Sequence, residues 1–381
     1  MKRLLLPALL CFLNVPAFAQ NPPPAPAAPA PAARPKMDAP PSSPEILPDG
    51  RITFRFRAPK AGEVKVGGQF GPELKLEKGE KDMWTATTAA PVAGGVYEYN
   101  FRVDGMGVID PMNPAIKPQR QPGTSILVIP STPPAAWDLT DIPHGGVTEH
   151  HYLSKSLGKW RRLMVYTPPG YRSDGTPLPV LYLSHGFSDN DQSWSVHGRA
   201  NFILDSLIAE KKAEPMLVVM PDAHALPPGP GYRDDYSLMN TEAFCQDLIS
   251  DVLPLIESAY TVKKDPAGRA FAGLSMGGHH ALTVALSHHD TFSWIGAFSS
   301  APPSDKLIES GLAHPEAVNK DLKLFWVACG NKDFLFERNN QFDALLKEKA
   351  ITHEYIVTPN DDHSWPVWRR YLITFAPKLF R

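Results

Sequence analysis

The sequence predicts two folded parts: a small all-β sandwich, then an α/β domain built on a doubly wound, mostly parallel sheet. Three observations carry that prediction. Between about residues 50 and 130, apolar and polar residues alternate in short runs separated by Gly, Pro and Asp, the pattern of half-buried antiparallel strands. From about residue 136 onward, short apolar runs alternate with helical patterns, as buried parallel strands and their crossover helices require. Within that region "RAFAGLSMGGHH", residues 269–280, sets a serine between glycines where a strand becomes a helix.

Taken in order, Lys2 and Arg3 precede the apolar run LLLPALLCFL, and Ala17-Phe18-Ala19 follows as a small-x-small cleavage site. These are the three regions of a secretory signal peptide over residues 1–19, cleaved after Ala19. The apolar run is too short to span a bilayer, and Cys11 lacks the small residues that would precede a lipid anchor. A soluble, exported protein is expected, either secreted or periplasmic. Residues 20–48 hold 11 of the 41 prolines, so they read as a semi-rigid extended linker without a core.

The sandwich is assigned to residues 49–132. ITFRFRAP, EVKVGGQF, MWTATTA, GVYEYNFRVDG and TSILVIP supply its strands. Trp84 sits mid-strand, where core packing and sugar stacking are both open. FRFRAPKAGEVKVGGQF, Trp84, VYEYNFRVDG and the DPMNP at 110–114 together resemble the glycogen-binding-type, immunoglobulin-like module found beside starch-branching and debranching enzymes.

The second domain is assigned to residues 136–381. RRLMVYTPP, PLPVLYLSHG, MLVVMPDAH, WIGAFSS and KLFWVACG read as strands; ANFILDSLIAEKK and TEAFCQDLISDVLPLIESAY read as helices. Among the helix residues, Asp247 and Asp251 read as a solvated face or as helix contacts. Cys245 and Cys329 remain once the leader is removed. One possible pair makes no disulfide framework, and both read as buried small hydrophobes.

A formal net charge of −2 over 381 residues gives no basic excess, which argues against a nucleic-acid partner. No phosphate-binding glycine loop or dinucleotide fingerprint occurs. His279-His280 and His288-His289 have no matching carboxylate or cysteine spacing, so no metal and no cofactor is called for.

Gly273-Leu274-Ser275-Met276-Gly277 fits the G-x-S-x-G nucleophile elbow of α/β-hydrolases, where a tight turn lifts the serine hydroxyl above the sheet at a helix N-terminus. A serine needs a base, and in this fold the partners follow in the order Ser, acid, His. Asp333 follows the strand ending at Gly330, and His363 follows HEYIVTPNDD; Asp333 would orient His363, which would take the Ser275 proton. Asp361 and Asp362 are rival acids. The Met276 N–H, with that of Phe187 after the strand PLPVLYLS, would form the oxyanion hole. Trp194, Phe334 and Trp365 lie on segments converging on the same edge and would bind substrate through their rings.

HGFSDNDQSW, GRANFILDSLIAEKKAEPMLVVMPDAH, GLSMGG, CGNKDFLFE and HSWPVWRRYL together resemble carbohydrate esterase family 1, which includes feruloyl and acetyl xylan esterases and is related to the enterochelin esterases. The resemblance implies Ser275, Asp333 and His363 as a triad and hydrolysis through an acyl-serine. Hydroxycinnamoyl esters on plant cell-wall polysaccharide are the favoured substrate. Acetyl xylan and siderophore trilactones are the rivals; the latter would need a positive pocket for a catecholate anion. A carbohydrate-binding protein with a decayed hydrolase is the non-enzymatic rival, and the intact set of three argues against it.

Overall fold

Period-two alternation folds the first part into two sheets that share one core. In the computed structural model, residues 42–227 and 234–381 are described; the leader and the linker as far as residue 41 lie outside them. The strands are β1 (Glu45–Ile46), β2 (Ile52–Arg57), β3 (Val64–Gly68), β4 (Gly71–Lys75), β5 (Glu77–Lys78), β6 (Met83–Thr87), β7 (Gly95–Val103), β8 (Met106–Val108) and β9 (Ser125–Ile129). One sheet runs β1-β2-β6-β5, and the other β4-β3-β7-β8 with β9 on β7. Phe54 and Phe56 on β2 pack with Val64, Val66, Tyr99 and Phe101 between them. Each fully buried side chain of this kind contributes roughly 1.5–3 kcal/mol by leaving water. Trp84 is 6% exposed and donates its indole N–H to the Ala58 carbonyl at 2.9 Å. It is a packing residue.

The first sheet begins inside the segment assigned to the linker. Glu45 and Ile46 pair with Thr53 and Ile52, and the buried Ser43 hydroxyl donates to Asp110 at 2.8 Å. Proline density obscured this, because a two-residue edge strand has too few positions to show a period.

The α/β part holds an eight-stranded sheet: β10 (Gly146–Ser154), β11 (Lys159–Thr167), β12 (Val180–Ser184), β13 (Leu217–Pro221), β14 (Arg269–Leu274), β15 (Trp294–Phe298), β16 (Leu324–Gly330) and β17 (Glu354–Thr358). Their order is β10-β11-β13-β12-β14-β15-β16-β17. Pairings from β13 through β17 are parallel, while β10 and β11 add antiparallel edges. The helices are α1 (Ser193–Val196), α2 (Ala200–Ala209), α3 (Asp234–Asp247), α4 (Leu253–Ala259), α5 (Met276–Ser287), α6 (Asp305–Ala313), α7 (Pro315–Asp321), α8 (Phe336–Glu348) and α9 (Trp365–Phe375).

Alternate residues of β14 feed separate cores on the two faces. Phe271 packs with Phe244 of α3 and Leu282 of α5, whereas Ala270, Ala272 and Leu274 pack with Leu204 of α2 and Leu372 of α9. Helices thus cover both sides, which is why the central strands are apolar throughout.

Asp247 is not on a solvated face. Its fully buried carboxylate lies 3.1 Å from Arg161 Nε and accepts a hydrogen bond from the Tyr152 hydroxyl at 2.7 Å. The contact ties α3 to the β10–β11 hairpin, and removing one partner of such a buried pair costs ~3–5 kcal/mol. Asp251 accepts the Lys155 and Ser156 N–H groups at 3.1 and 3.0 Å, securing the hairpin turn. Cys245 and Cys329 are buried and unpaired. No described helix is long and apolar enough to cross a membrane.

Candidate active site

The elbow is shaped by what a side chain would strike. A Cβ on Gly273 would lie 2.4 Å from the Gly277 carbonyl carbon, and one on Gly277 would lie 2.5 Å from the Ser184 oxygen. Only glycine lets strand, turn and helix come this close. Between them Ser275 adopts φ 53° and ψ −110°, a left-handed conformation that costs a non-glycine residue ~1–3 kcal/mol. Its N–H donates to the Phe298 carbonyl and its carbonyl accepts the His279 N–H, both at 2.9 Å, so the strained turn is held from either side.

The strand ends of β14, β16 and β17 bring three side chains into one row. His363 Nε2 lies 3.0 Å from Ser275 Oγ, and His363 Nδ1 lies 2.8 Å from Asp333 Oδ2. The other Asp333 oxygen accepts the Leu335 N–H at 2.8 Å, which fixes the carboxylate's rotation. The carboxylate is fully buried and His363 is mostly so. The rival acids are engaged elsewhere: Asp361 pairs with Arg370, and Asp362 accepts the Ser364 hydroxyl.

Ser275 and His363 open onto a cavity of about 340 Å³. Phe187 and Gly186, from the loop after β12, form part of its lining. Met276 is the first residue of α5, where a backbone N–H has no intrahelical acceptor. Phe334 lines the cavity and stays 75% exposed, with its ring centroid 4.5 Å from that of His363. Trp365 lines the same cavity although it is 2% exposed.

Trp194 corrects the expectation for substrate-binding rings. It is 1% exposed, packs edge-on against Trp365 at 5.0 Å, and donates its indole N–H to the Ser184 carbonyl at 2.9 Å. Its polar atom is spent on the backbone beneath the site, so it supports the Trp365 ring without lining the cavity.

Three lining residues were not anticipated: Gln69, Glu98 and Lys117, all from the sandwich. Lys117 Nζ lies 3.0 Å from Glu98 Oε1 and 3.5 Å from Asp189 Oδ1. Burial alone would raise the Glu98 carboxyl, but the facing His197 and Lys117 more than reverse this and hold it at about 2. Burial pushes His197 down to about 4, so at neutral pH Lys117 is the cation that matters. Asp189 is raised, chiefly by burial. A cleft of about 510 Å³ beside α3 and α5 shares no lining residue with this cavity. Among the described residues no group of three or more His, Cys, Asp or Glu side chains is arranged to hold a metal ion.

Comparison with known proteins adds three findings. The family model described as "Putative esterase" matches residues 154–379. A protein of Xylanibacter ruminicola named endo-1,4-beta-xylanase/feruloyl esterase is 31% identical over 364 residues, which are 89% of this chain and 46% of that protein; this chain thus spans about half of that relative. Among solved structures, a ferulic acid esterase aligns at 26% identity and TM-score 0.53, covering 63% of this chain and 98% of that one. An enterobactin esterase from Shigella flexneri shares the fold over 87% of this chain and 92% of its own, at 20% identity and TM-score 0.58.

Proposed function

The chain belongs to the putative esterase family and is a carboxylic ester hydrolase, and from that premise we propose that it is an exported serine esterase cleaving hydroxycinnamoyl, principally feruloyl, esters of plant cell-wall polysaccharide. The observation that carries the chemistry is the hydrogen-bonded row from Ser275 through His363 to Asp333 at the cavity. His363 Nε2 takes the hydroxyl proton as Ser275 Oγ bonds to the ester carbonyl carbon. The carbonyl oxygen gains negative charge, and the N–H groups of Phe187 and Met276 receive it. Collapse breaks the bond to the alcohol oxygen, which leaves with the proton from His363. Water then repeats the sequence on the acyl-serine and releases the acid. Asp333 holds Nδ1–H and stabilises the imidazolium in both halves.

Phe334 and Trp365 supply apolar surface for an aromatic acyl group, in keeping with the feruloyl esterase relatives. A siderophore trilactone fits the cavity's charge less well. Its one lysine among the described lining residues faces the carboxyls of Glu98 and Asp189, so a catecholate anion would meet no net positive field.

The test is product release from feruloylated arabino-oligosaccharide, acetylated xylan and enterobactin side by side, with Ser275→Ala as control. Ferulate release well above the others, absent in the variant, is expected. Dominant acetate or catechol-serine release would keep the serine chemistry and overturn the acyl group. Undiminished release by Ser275→Ala would overturn the mechanism.

A further inference from the structure

The cavity at Ser275 is not built by the α/β part alone. Gln69 follows β3, Glu98 lies on β7 and Lys117 precedes β9, yet all three line the same space as Ser275 and His363. The sandwich is fastened where it does so. The Arg120 N–H donates to the Ser188 carbonyl at 3.0 Å, Ser193 Oγ donates to the Pro118 carbonyl at 2.8 Å, and buried Arg369 donates to the Val96 carbonyl at 2.9 Å. The Arg120 guanidinium also covers the Phe187 ring at 4.3 Å. These contacts bind the sandwich to the loop after β12, the one that carries Phe187.

The outward surface of the sandwich shows no equivalent equipment. Among its described residues the large exposed hydrophobics are Ile46, Met106 and Ile116. None is aromatic, so the exposed ring on which a sugar would stack is not there. The polar groups toward the cavity are, by contrast, a compact and chemically mixed set. Gln69 is exposed; its Oε1 accepts the Glu98 N–H at 3.0 Å, and its amide nitrogen has no acceptor among the described residues. Lys117 is 5% exposed and offers ammonium donors; Glu98 offers carboxylate acceptors.

We propose that Gln69, Glu98 and Lys117 form a subsite for the hydroxyl groups of the ester's alcohol moiety, so that the sandwich reads the glycosyl part of the substrate inside the catalytic cavity. A hydroxyl both donates and accepts, and vicinal hydroxyls can bridge an amide, a carboxylate and an ammonium without leaving any of them unpaired. The sandwich then acts on the same substrate molecule as Ser275, at the same time, and not as a distant tether. This rests on the reading of the site as a sugar-ester hydrolase.

The experiment uses full-length protein and esters matched in acyl group: feruloyl-arabinose against methyl ferulate, and acetylated xylose against ethyl acetate. The quantity read is the ratio of kcat/KM for the glycosyl ester to that for the simple ester. Gln69→Ala should lower it roughly fivefold, the size of one neutral hydrogen bond, and Lys117→Met should lower it roughly tenfold or more, as a charged donor implies. An unchanged ratio in Gln69→Ala overturns the proposal, and that exposed position decides the matter if Lys117→Met does not fold. Should wild-type protein cleave only the acetyl pair, the feruloyl assignment fails and the subsite is judged by the same ratio on that pair. Failure to cleave either glycosyl ester overturns the subsite.

Discussion

Phe334 rests its ring 4.5 Å from the imidazole of His363, centroid to centroid, while 75% of the residue remains exposed. A large apolar side chain held at a cavity mouth gains little from folding, because most of its surface stays in water. Its contribution is to a ligand. In the proposed reaction that ligand is the acyl ring, and a contact between aromatic rings is worth ~1 kcal/mol beyond area burial.

Phe334→Ala should therefore leave the melting temperature nearly unchanged and reduce kcat/KM on methyl ferulate by roughly three- to tenfold. The loss on an acetyl ester should be smaller. Equal losses on both esters would make Phe334 a positioning neighbour of His363 and remove it from the acyl pocket.

Ser275 makes a second, opposite prediction. At φ 53° and ψ −110° the residue is strained, and glycine adopts that conformation without the Cβ cost. Ser275→Gly should abolish turnover and raise stability by ~1 kcal/mol, read as a higher denaturant midpoint at unchanged slope. A lower midpoint would show that the hydroxyl's contacts outweigh the strain.

Asp333 and Asp361 separate the two candidate acids. Asp333→Asn should cut kcat by about 10⁴-fold if it acts as serine-protease aspartates do. Asp361 is committed to Arg370, so Asp361→Asn should change kcat less than roughly threefold, as for a surface ion pair. A large loss in Asp361→Asn with a small one in Asp333→Asn would reverse the assignment.

How far these features were legible in the sequence follows from where their physical causes lie. The elbow was legible because its glycines are demanded locally, by Gly277 and Ser184 atoms that leave no room for a Cβ. The central strands were legible because both faces are covered. β10 was not: its first six residues are exposed or half-exposed, so no apolar period marks it. Trp194 misled because a tryptophan near a site has the same sequence signature whether its ring faces a ligand or supports a neighbour. Glu98 was invisible for a different reason. On β7 it occupies a polar position between the buried Val96 and Tyr99, and a strand pattern reads such a position as solvent-facing. Only the docking of one sheet onto the other domain turns it toward Ser275.

Acid stability tests the buried histidines together. Burial lowers His197, His224 and His279 to about 4 and His280 further still. Their surroundings favour neutral rings: His279 Nδ1 lies 2.9 Å from the Ala301 carbonyl, His224 Nε2 lies 2.8 Å from the Phe187 carbonyl, and His280 stacks on Phe244 at 4.4 Å. Unfolded imidazoles protonate near pH 6.5, the folded ones only near 4 or below. Between those values the unfolded chain binds more protons, so stability is intact above about pH 6.5 and is lost as pH falls toward 4, by several kcal/mol in order of magnitude. His185 works in the opposite sense, since Asp222 overrides burial and raises it, so its contribution is lost as pH rises through its folded value. Four lowered groups against one raised group fix the net sign below 6.5. Thermal melts from pH 7.5 to 4.5 should show the melting temperature falling with its onset near 6.5, ahead of the range in which carboxylates titrate. A melting temperature level down to pH 4.5 would mean that these rings take up protons inside the folded protein, with water or backbone movement reaching them.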